Sequence, residues 1–290
     1  MQRKHKDKLF RFIFRDREKL LQLYNALNKS DYQDVSALEI YTLENVIYMG
    51  YKNDIAFLLD WVLFLAEHQS TWNPNMPLRG VLYFSRLYRE FLAEGRYDLY
   101  ASKLIPLPWP QYVVFYNGAD ARPEREVLKL SDAFQYTGSS GMTAEPALEC
   151  RALVLNINYG HNRELMESCK PLYDYSLFIH RIRANLANGA RPEQAVDIAV
   201  DQCLKEDILT DVLRVNRREV VQMFLEEYDE ELHERTLREE GREEGRQMME
   251  LTRNLIRDNR LEELLKATED EELRRDLIEE YGIDKQKKRI

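Results

Sequence analysis

The sequence predicts an α/β fold in which a mixed sheet is flanked by helices. Three observations support this prediction: a helical period near the N-terminus, short β-favouring runs within the first 160 residues, and a helical period that returns after residue 161. The predicted order is helix, three strands, helix, strand, which is typical of an α/β core. Hydrophobic residues make up 44% of the 290, so the chain can bury a sizeable core.

The first predicted element is helical and covers Lys6–Asn28. Its apolar residues recur at intervals of three and four, so that one face would pack against a core. The charged pair Arg15-Asp16 interrupts this pattern and leaves two alternatives, one helix or two short ones. Asn28–Asp31 is polar and predicts a loop after the helical segment.

Segments that favour β-strands follow this loop. Val35–Val46 is mixed in composition, whereas Asp54–Leu59 and Trp61–Ala66 are almost wholly apolar. Short apolar runs joined by a polar residue predict two adjacent strands of a hairpin, buried on both faces. A single buried helix through the same stretch is the alternative. The clustering of Ile, Phe, Trp and Val favours the strands.

The remaining elements of the predicted core alternate between helix and strand. Pro77–Ala93 has helical period, and its proline suits a first helical turn. Pro106–Pro110 breaks the chain, and Gln111–Tyr116 predicts a strand that ends at an Asn-Gly pair. Ala152–Ile157 predicts one more strand.

Changes in composition predict three regions: a core at 1–160, a helical subdomain at 161–228 and a charged helical tail at 229–290. The tail contains Arg-Glu-Glu-Gly twice, at 238–241 and 242–245. Opposite charges four residues apart favour an exposed helix, which the glycines weaken. A solvated helix and a self-association helix are both consistent with this pattern. A homo-oligomer formed through the C-terminal helix is therefore one predicted partner.

Charge, cysteine content and hydropathy limit the classes of protein to consider. The formal net charge of −9 argues against broad electrostatic capture of nucleic acid, yet it is compatible with a local basic groove. Three widely spaced cysteines fit neither a disulfide framework nor a structural zinc site. The sequence has no nucleotide-binding glycine loop. It shows no secretory signal or membrane-spanning segment, which predicts a cytoplasmic protein without a membrane partner.

The candidate catalytic residues follow from the predicted hairpin. Asp54 opens its first strand, and Glu67 and Gln69 close the second with their side chains on the same face. A tight turn at Asp60-Trp61 would bring Asp54 beside Glu67 at one rim of the sheet. Neighbouring carboxylates repel each other unless a cation lies between them, and Mg²⁺ prefers such oxygen ligands. The alternative is that both acids are ordinary residues at strand ends.

Four motifs in this region occur in the same order as in a known nuclease family. They are Lys52-Asn53-Asp54, Glu67–Thr71, Asn75–Arg79 and Tyr112–Gly118. These motifs resemble those of the bacterial Rpn family of recombination-promoting nucleases or transposases, which belongs to the PD-(D/E)XK nuclease superfamily. The similarity covers about residues 5–118. It continues more weakly around Cys203–Met223 and the Arg-Glu-Glu-Gly repeat.

The resemblance implies a restriction-endonuclease-like core and a DNA endonuclease that uses Mg²⁺, or Mn²⁺ or Ca²⁺. It implies that Asp54, Glu67 and the backbone carbonyl of His68 bind the metal, whereas the His68 side chain points to the opposite face and is structural. Gln69 stands where the superfamily usually has lysine. An amide cannot act as a base, but it can orient water or bind a phosphate oxygen.

Further candidates lie in the first helix and in the loop after the hairpin. The superfamily often adds an acid from the first helix, and Asp7 is favoured over Glu18 for this position. The loop is polar and precedes a helix N-terminus, so it is a candidate for phosphate contacts, with turn formation and capping as the alternative. Trp72 would stack on a base or, as favoured, pack against the core. The candidate phosphate contacts are Ser70, Thr71, Asn75 and Arg79.

Two other functions stay open beside the nuclease. A catalytically inactive module that binds DNA or protein through the nuclease fold is motivated by Gln69 and by the acidic net charge. A protein whose main role is assembly through its charged C-terminal helix is the other. A link to recombination or mobile elements is implied by the resemblance alone.

Overall fold

One mixed sheet organises the first of two units, which divide between Glu227 and Tyr228. The computed structural model describes residues 8–41, 55–135 and 145–283, and within these ranges the sheet has six strands in the order β1-β2-β3-β4-β6-β5. The strands are β1 (Glu39–Ile40), β2 (Ile55–Leu59), β3 (Val62–Gln69), β4 (Trp109–Tyr116), β5 (Arg125–Lys129) and β6 (Arg151–Asn156). The pairs β3–β4 and β4–β6 are parallel and the others are antiparallel.

Helices precede, interrupt and follow the strands. The described helices are α1 (Lys8–Phe14), α2 (Arg17–Asn28), α3 (Met76–Glu94), α4 (Arg163–Ser168), α5 (Lys170–Ala187), α6 (Pro192–Lys205), α7 (Thr210–Arg257), α8 (Leu261–Glu269) and α9 (Glu271–Glu280). The predicted α/β class is therefore confirmed, as is the order of helix, three strands, helix and strand.

The N-terminal helical segment consists of two helices, which decides between the two predicted alternatives. The side chain of Asp16 caps α2 by accepting hydrogen bonds from the backbone amides of Glu18 and Lys19. At the other end, Lys29 adopts a left-handed conformation with φ 53° and stops the helix. The loop, predicted at Asn28–Asp31, begins at this residue, because Asn28 is the last residue of α2.

The predicted β-hairpin is confirmed. Its two strands pair antiparallel, and Ile55 lies opposite Ala66 at the end remote from the turn. The turn residues Asp60 and Trp61 both have positive φ, 46° and 61°, which matches the twist of a two-residue hairpin. β3 ends at Gln69, which was predicted to close the strand, and its last residues pair with β4.

The two faces of the sheet are covered by different helices. On one face, Phe57 and Phe64 pack with their ring centroids 4.8 Å apart, and Tyr24 of α2 lies edge-on to both. The other face packs against α3. The core between this face and α3 contains the buried residues Leu63, Leu65, Met76, Tyr83, Phe84, Tyr112, Val114 and Tyr116. Aromatic rings therefore supply much of the apolar surface that holds the layers together.

No strand was predicted at Arg125–Lys129, where β5 forms one edge of the sheet. Its residues alternate between exposed and half-buried, and three of the five are charged. Charged residues are common on edge strands because they prevent further strand pairing. The same composition removes the apolar signal from which the other strands were predicted.

The second unit contains a small helical core of its own. The residues that form it are Leu251, Leu255, Ala267, Leu277 and Ile283. The described part of the charged tail is thus largely helical, whereas its self-association stays a prediction. Of the helical subdomain predicted at 161–228, the residues up to Glu227 lie in the same unit as the sheet. None of the described helices is long and apolar enough to cross a membrane.

Candidate active site

Glu67 lies near the carboxyl end of β3, on the sheet face that α3 covers. Its side chain is 2% exposed. Arg79 of α3 places Nη2 2.7 Å from Glu67 Oε2 and 2.9 Å from the Tyr83 hydroxyl. Within the described residues, the other carboxylate oxygen, Oε1, has no hydrogen-bond partner. An unmet buried acceptor costs about 1–3 kcal/mol, so this oxygen marks a candidate binding position.

Burial changes the ionisation of this cluster. Desolvation raises the pKa of Glu67 to about 7, and it outweighs the Arg79 charge and the nearby hydroxyls of Tyr83 and Tyr112, which lower the pKa. Burial also raises the pKa of Tyr83 and of Tyr112. A buried carboxyl group whose pKa is shifted towards neutrality beside a specific charge partner is a feature of functional sites. The carboxyl group of Glu67 can therefore change its protonation state near neutral pH.

Gln69 shares the face of Glu67. Its side chain is 7% exposed, and Nε2 donates to the sulfur of Met76 at 2.6 Å. Across the parallel pairing, its backbone partner is Tyr116. Both Glu67 and Gln69 thus contact α3, as the period-two alternation of a strand predicts.

His68 points to the opposite face, as expected. Its Nε2 lies 2.9 Å from the Tyr175 hydroxyl, and its ring stacks on Phe10 at 4.9 Å between centroids. The backbone carbonyl of Gln69 accepts a hydrogen bond from Asn117 N at 2.8 Å, on the β4 side. Successive carbonyls of a strand point to opposite sides. The His68 carbonyl is therefore directed away from β4, towards the side on which β2 lies.

The second predicted carboxylate, Asp54, lies outside the described residues. The hairpin register nevertheless places Ile55, which follows Asp54 in the chain, opposite Ala66, which precedes Glu67. Within the described ranges, no three His, Cys, Asp or Glu side chains are grouped closely enough to hold a metal ion. Glu67 Oε1 and the His68 carbonyl are oxygen donors of the kind that a hard cation such as Mg²⁺ accepts, and such an ion would need further ligands.

Among the described residues, no acid from the first helices joins the Glu67 cluster. Asp7, the favoured candidate, lies outside them. Glu18 is exposed on α2, and α2 packs on the sheet face opposite to α3. Glu18 therefore does not join Glu67.

The loop after β3 combines turn formation with exposed polar groups. Ser70 and Thr71 are half-buried, and Asn75 is exposed at the start of α3 without capping it by its side chain. Asn73 Oδ1 accepts a hydrogen bond from Asn75 N at 2.9 Å, in line with the predicted turn. Arg79 forms the ion pair with the buried carboxylate, and its predicted contact with phosphate stays a prediction.

The carboxyl edge of the parallel strands contains functional candidates that were not predicted. Arg183 of α5 donates to the backbone oxygen of Asn117 and, at 2.7 Å, to Asn158 Oδ1. Arg122 places its guanidinium 3.8 Å from the centroid of the Trp72 ring. Trp72 itself is half-buried against the core, the favoured alternative. The two arginines are far apart in the sequence and match no motif, so spacing gave no signal for them.

Gly118 marks a close approach between the loops after β3 and β4. A Cβ atom there would lie 2.5 Å from the backbone oxygen of Ser70 and 2.3 Å from the Tyr116 hydroxyl oxygen. We expect Gly118→Ala to force these loops apart and to lower the free energy of unfolding by about 1–3 kcal/mol, measured by urea denaturation. The control is Gly241→Ala, whose added Cβ meets no atom within 4 Å. Wild-type stability of Gly118→Ala would contradict the packing.

A scan against protein-family models, a search of curated proteins and a search of solved structures each found no match.

Proposed function

We propose that this protein is a metal-dependent DNA endonuclease whose active site is built around Glu67 at the end of β3. The observation that carries the proposal is a carboxylate that is 2% exposed, has one oxygen without a partner among the described residues and has a pKa raised to about 7. The hairpin pairs the residue after Asp54 with the residue before Glu67. The resemblance to PD-(D/E)XK nucleases implies an acid on one strand beside an acid on the next strand. The observed register agrees with this arrangement.

In this proposal, Asp54, Glu67 and the carbonyl of His68 hold Mg²⁺, with Mn²⁺ or Ca²⁺ as alternatives. A bound ion of this kind polarises a phosphodiester and lowers the pKa of water. The buried position of Glu67 keeps bulk water from its carboxylate, which strengthens its attraction for a cation. Gln69 would orient water or a phosphate oxygen through its amide, which cannot serve as a base.

Arg79 has two roles in this proposal. In the described structure it neutralises Glu67 through the 2.7 Å ion pair. A cation that binds the carboxylate competes with the guanidinium, and Arg79 then has donors for a phosphate oxygen, to which arginine binds well. The observed ion pair and the predicted phosphate contact are therefore compatible.

A catalytically inactive module that binds DNA or protein is the second candidate. The Glu67–Arg79 ion pair favours it, because a buried carboxylate with its own arginine has a counter-ion without any metal. Gln69, which stands where the superfamily usually has lysine, also favours this candidate. The links to recombination, to the cytoplasm and to self-association through the C-terminal helix stay proposals.

Plasmid cleavage tests the nuclease proposal. We expect the wild type to nick supercoiled plasmid with Mg²⁺ or Mn²⁺ and not with EDTA. Asp54→Ala and Glu67→Ala should abolish this activity while remaining folded by circular dichroism. The matched control is Glu164→Ala, which removes an exposed carboxylate paired with Lys29 and should cleave normally. Absence of cleavage with every metal, or equal cleavage by all four proteins, would overturn the proposal.

A further inference from the structure

Two arginines at the carboxyl edge of β3, β4 and β6 have no carboxylate partner among the described residues. The guanidinium of Arg122 lies over the Trp72 ring, and its Nε is buried without a hydrogen-bond partner in that part of the chain. Among the described residues, Arg183 donates to the neutral oxygens of Asn117 and Asn158. Both side chains are half-buried. Their charge is thus held at the protein surface without internal neutralisation.

The charges of Arg122 and Arg183 both act on the Tyr116 hydroxyl. Both Arg122 and Arg183 lie close enough to the Tyr116 hydroxyl to lower its pKa, against the larger, raising effect of burial. The carboxylate of Asp120 is the opposing charge there, and the Tyr116 hydroxyl donates to the Asp120 backbone oxygen at 3.0 Å. Of the described charged groups that act on the Tyr116 hydroxyl, two are cations and one is an exposed anion, although the whole chain carries a net charge of −9. The edge is therefore a local basic site on an acidic protein.

Hydrogen bonds fix the loops that carry this site. Asn158 Nδ2 donates to the Gly118 backbone oxygen at 3.0 Å and to Asn156 Oδ1 at 2.9 Å. Asn117 is 1% exposed, and neither polar atom of its side chain has a partner among the described residues. Arg183 joins the loops after β4 and β6 through Asn117 and Asn158. Its guanidinium is consequently held in place before any ligand arrives, which reduces the entropy lost on binding.

The basic site is continuous with the surroundings of Glu67. Trp72, under the Arg122 guanidinium, packs edge-on against Tyr116 with 6.0 Å between ring centroids. Tyr116 is the strand partner of Gln69, which follows Glu67 by two residues on the same face. This edge therefore borders the end of β3 that carries Glu67 and Gln69.

We propose that Arg122 and Arg183 form a phosphate-binding site that holds a backbone phosphate of the nucleic-acid substrate next to the Glu67 cluster. The planar guanidinium binds phosphate through paired N–H donors and stacks on aromatic rings, both of which this geometry allows. Contacts of this kind set the position of a nucleic acid without reading its bases. The inference rests on the proposed endonuclease function and names the group that positions its substrate.

Binding of a short fluorescein-labelled single-stranded oligonucleotide in EDTA, followed by anisotropy, tests this site. Arg122→Gln and Arg183→Gln should each raise Kd about tenfold. Each should also flatten the slope of log affinity against log salt by about 0.7. Arg183→Lys keeps the charge and should lie between wild type and Arg183→Gln. The control is Arg163→Gln, an exposed arginine paired with Glu167, which should bind like wild type.

Wild-type affinity and salt slope in both glutamine variants would overturn the site, as would the absence of oligonucleotide binding by the wild type. Competition distinguishes the source of the phosphate. A nucleic-acid backbone predicts that inorganic phosphate and mononucleotides compete only weakly with the oligonucleotide. Equal affinity for inorganic phosphate and oligonucleotide would assign the site to free phosphate and overturn its role in holding substrate.

The binding assay separates failure of this inference from failure of the endonuclease proposal. Oligonucleotide binding that depends on Arg122 and Arg183, together with no plasmid cleavage by the wild type, would contradict the endonuclease alone. Metal-dependent cleavage together with unchanged binding and cleavage in both glutamine variants would contradict the phosphate site alone.

Discussion

Glu67→Gln is expected to slow metal-dependent plasmid cleavage by more than about a hundredfold, because loss of an outer-shell partner of a metal ligand already costs about 10–100-fold. The amide keeps the shape and burial of the carboxylate and can still accept a hydrogen bond from Arg79, so the fold should persist. Removal of a negative charge next to bound phosphate should leave DNA affinity unchanged or raise it. Initial nicking rates and oligonucleotide anisotropy measure the two effects.

This variant also distinguishes the two proposed functions. Glu164→Gln is its control, because Glu164 is exposed and paired with Lys29 at 2.6 Å. An unchanged cleavage rate in Glu67→Gln would contradict a catalytic role for Glu67. Tight binding by wild type and variant, with no cleavage by either, would favour the inactive binding module. Loss of DNA affinity in a folded Glu67→Gln protein would contradict both proposals.

Arg79→Met is expected to lower the free energy of unfolding by about 3–5 kcal/mol at mildly alkaline pH, because it leaves a buried carboxylate without its counter-ion. At mildly acidic pH the loss should be much smaller, since Glu67 is then protonated. The folded-state pKa of Glu67 is raised from 4.5 to about 7. The folded state therefore holds this proton more tightly than the unfolded chain, and stability falls as pH rises through that window.

Urea unfolding at the two pH values measures this effect, with the double variant Glu67→Gln/Arg79→Met as control. The double variant has no charge at either position, so its stability should not change with pH through this pair. In the wild type, the same linkage predicts a fall on the order of 3 kcal/mol between pH 4.5 and about 7 relative to Glu67→Gln. Equal destabilisation by Arg79→Met at both pH values would contradict the linkage.

The order of the elements was predictable because each carries a local pattern. The hairpin followed from two apolar runs and the polar residue between them, and the structure places its turn at Asp60 and Trp61 as expected. The break between α1 and α2 was visible in the sequence, and the cap formed by Asp16 decides it. The edge strand Arg125–Lys129 was missed because an exposed, charged strand has little hydrophobic pattern.

The candidate site was predictable only in part. Strand alternation alone places Glu67 and Gln69 on one face. The ion pair with Arg79 depends on which face of α3 packs on the sheet. Tertiary packing determines that face, and the local sequence does not. Arg122 and Arg183 lie at one edge of the sheet through contacts with residues distant in the sequence, so no local window of sequence contains the information.

The parallel pairing of β3 with β4 has a consequence for the order in which the chain folds. The β2–β3 hairpin closes over a two-residue turn, whereas β4 can pair with β3 only after α3 has crossed the sheet. Contacts between distant residues form more slowly because more chain entropy is lost in making them. We therefore expect Glu67 to gain its neighbour Tyr112 late in folding, and Arg183 is the last of these residues to leave the ribosome. During synthesis, Glu67 at the end of β3 is therefore made well before Arg122 and Arg183, the arginines proposed to bind phosphate.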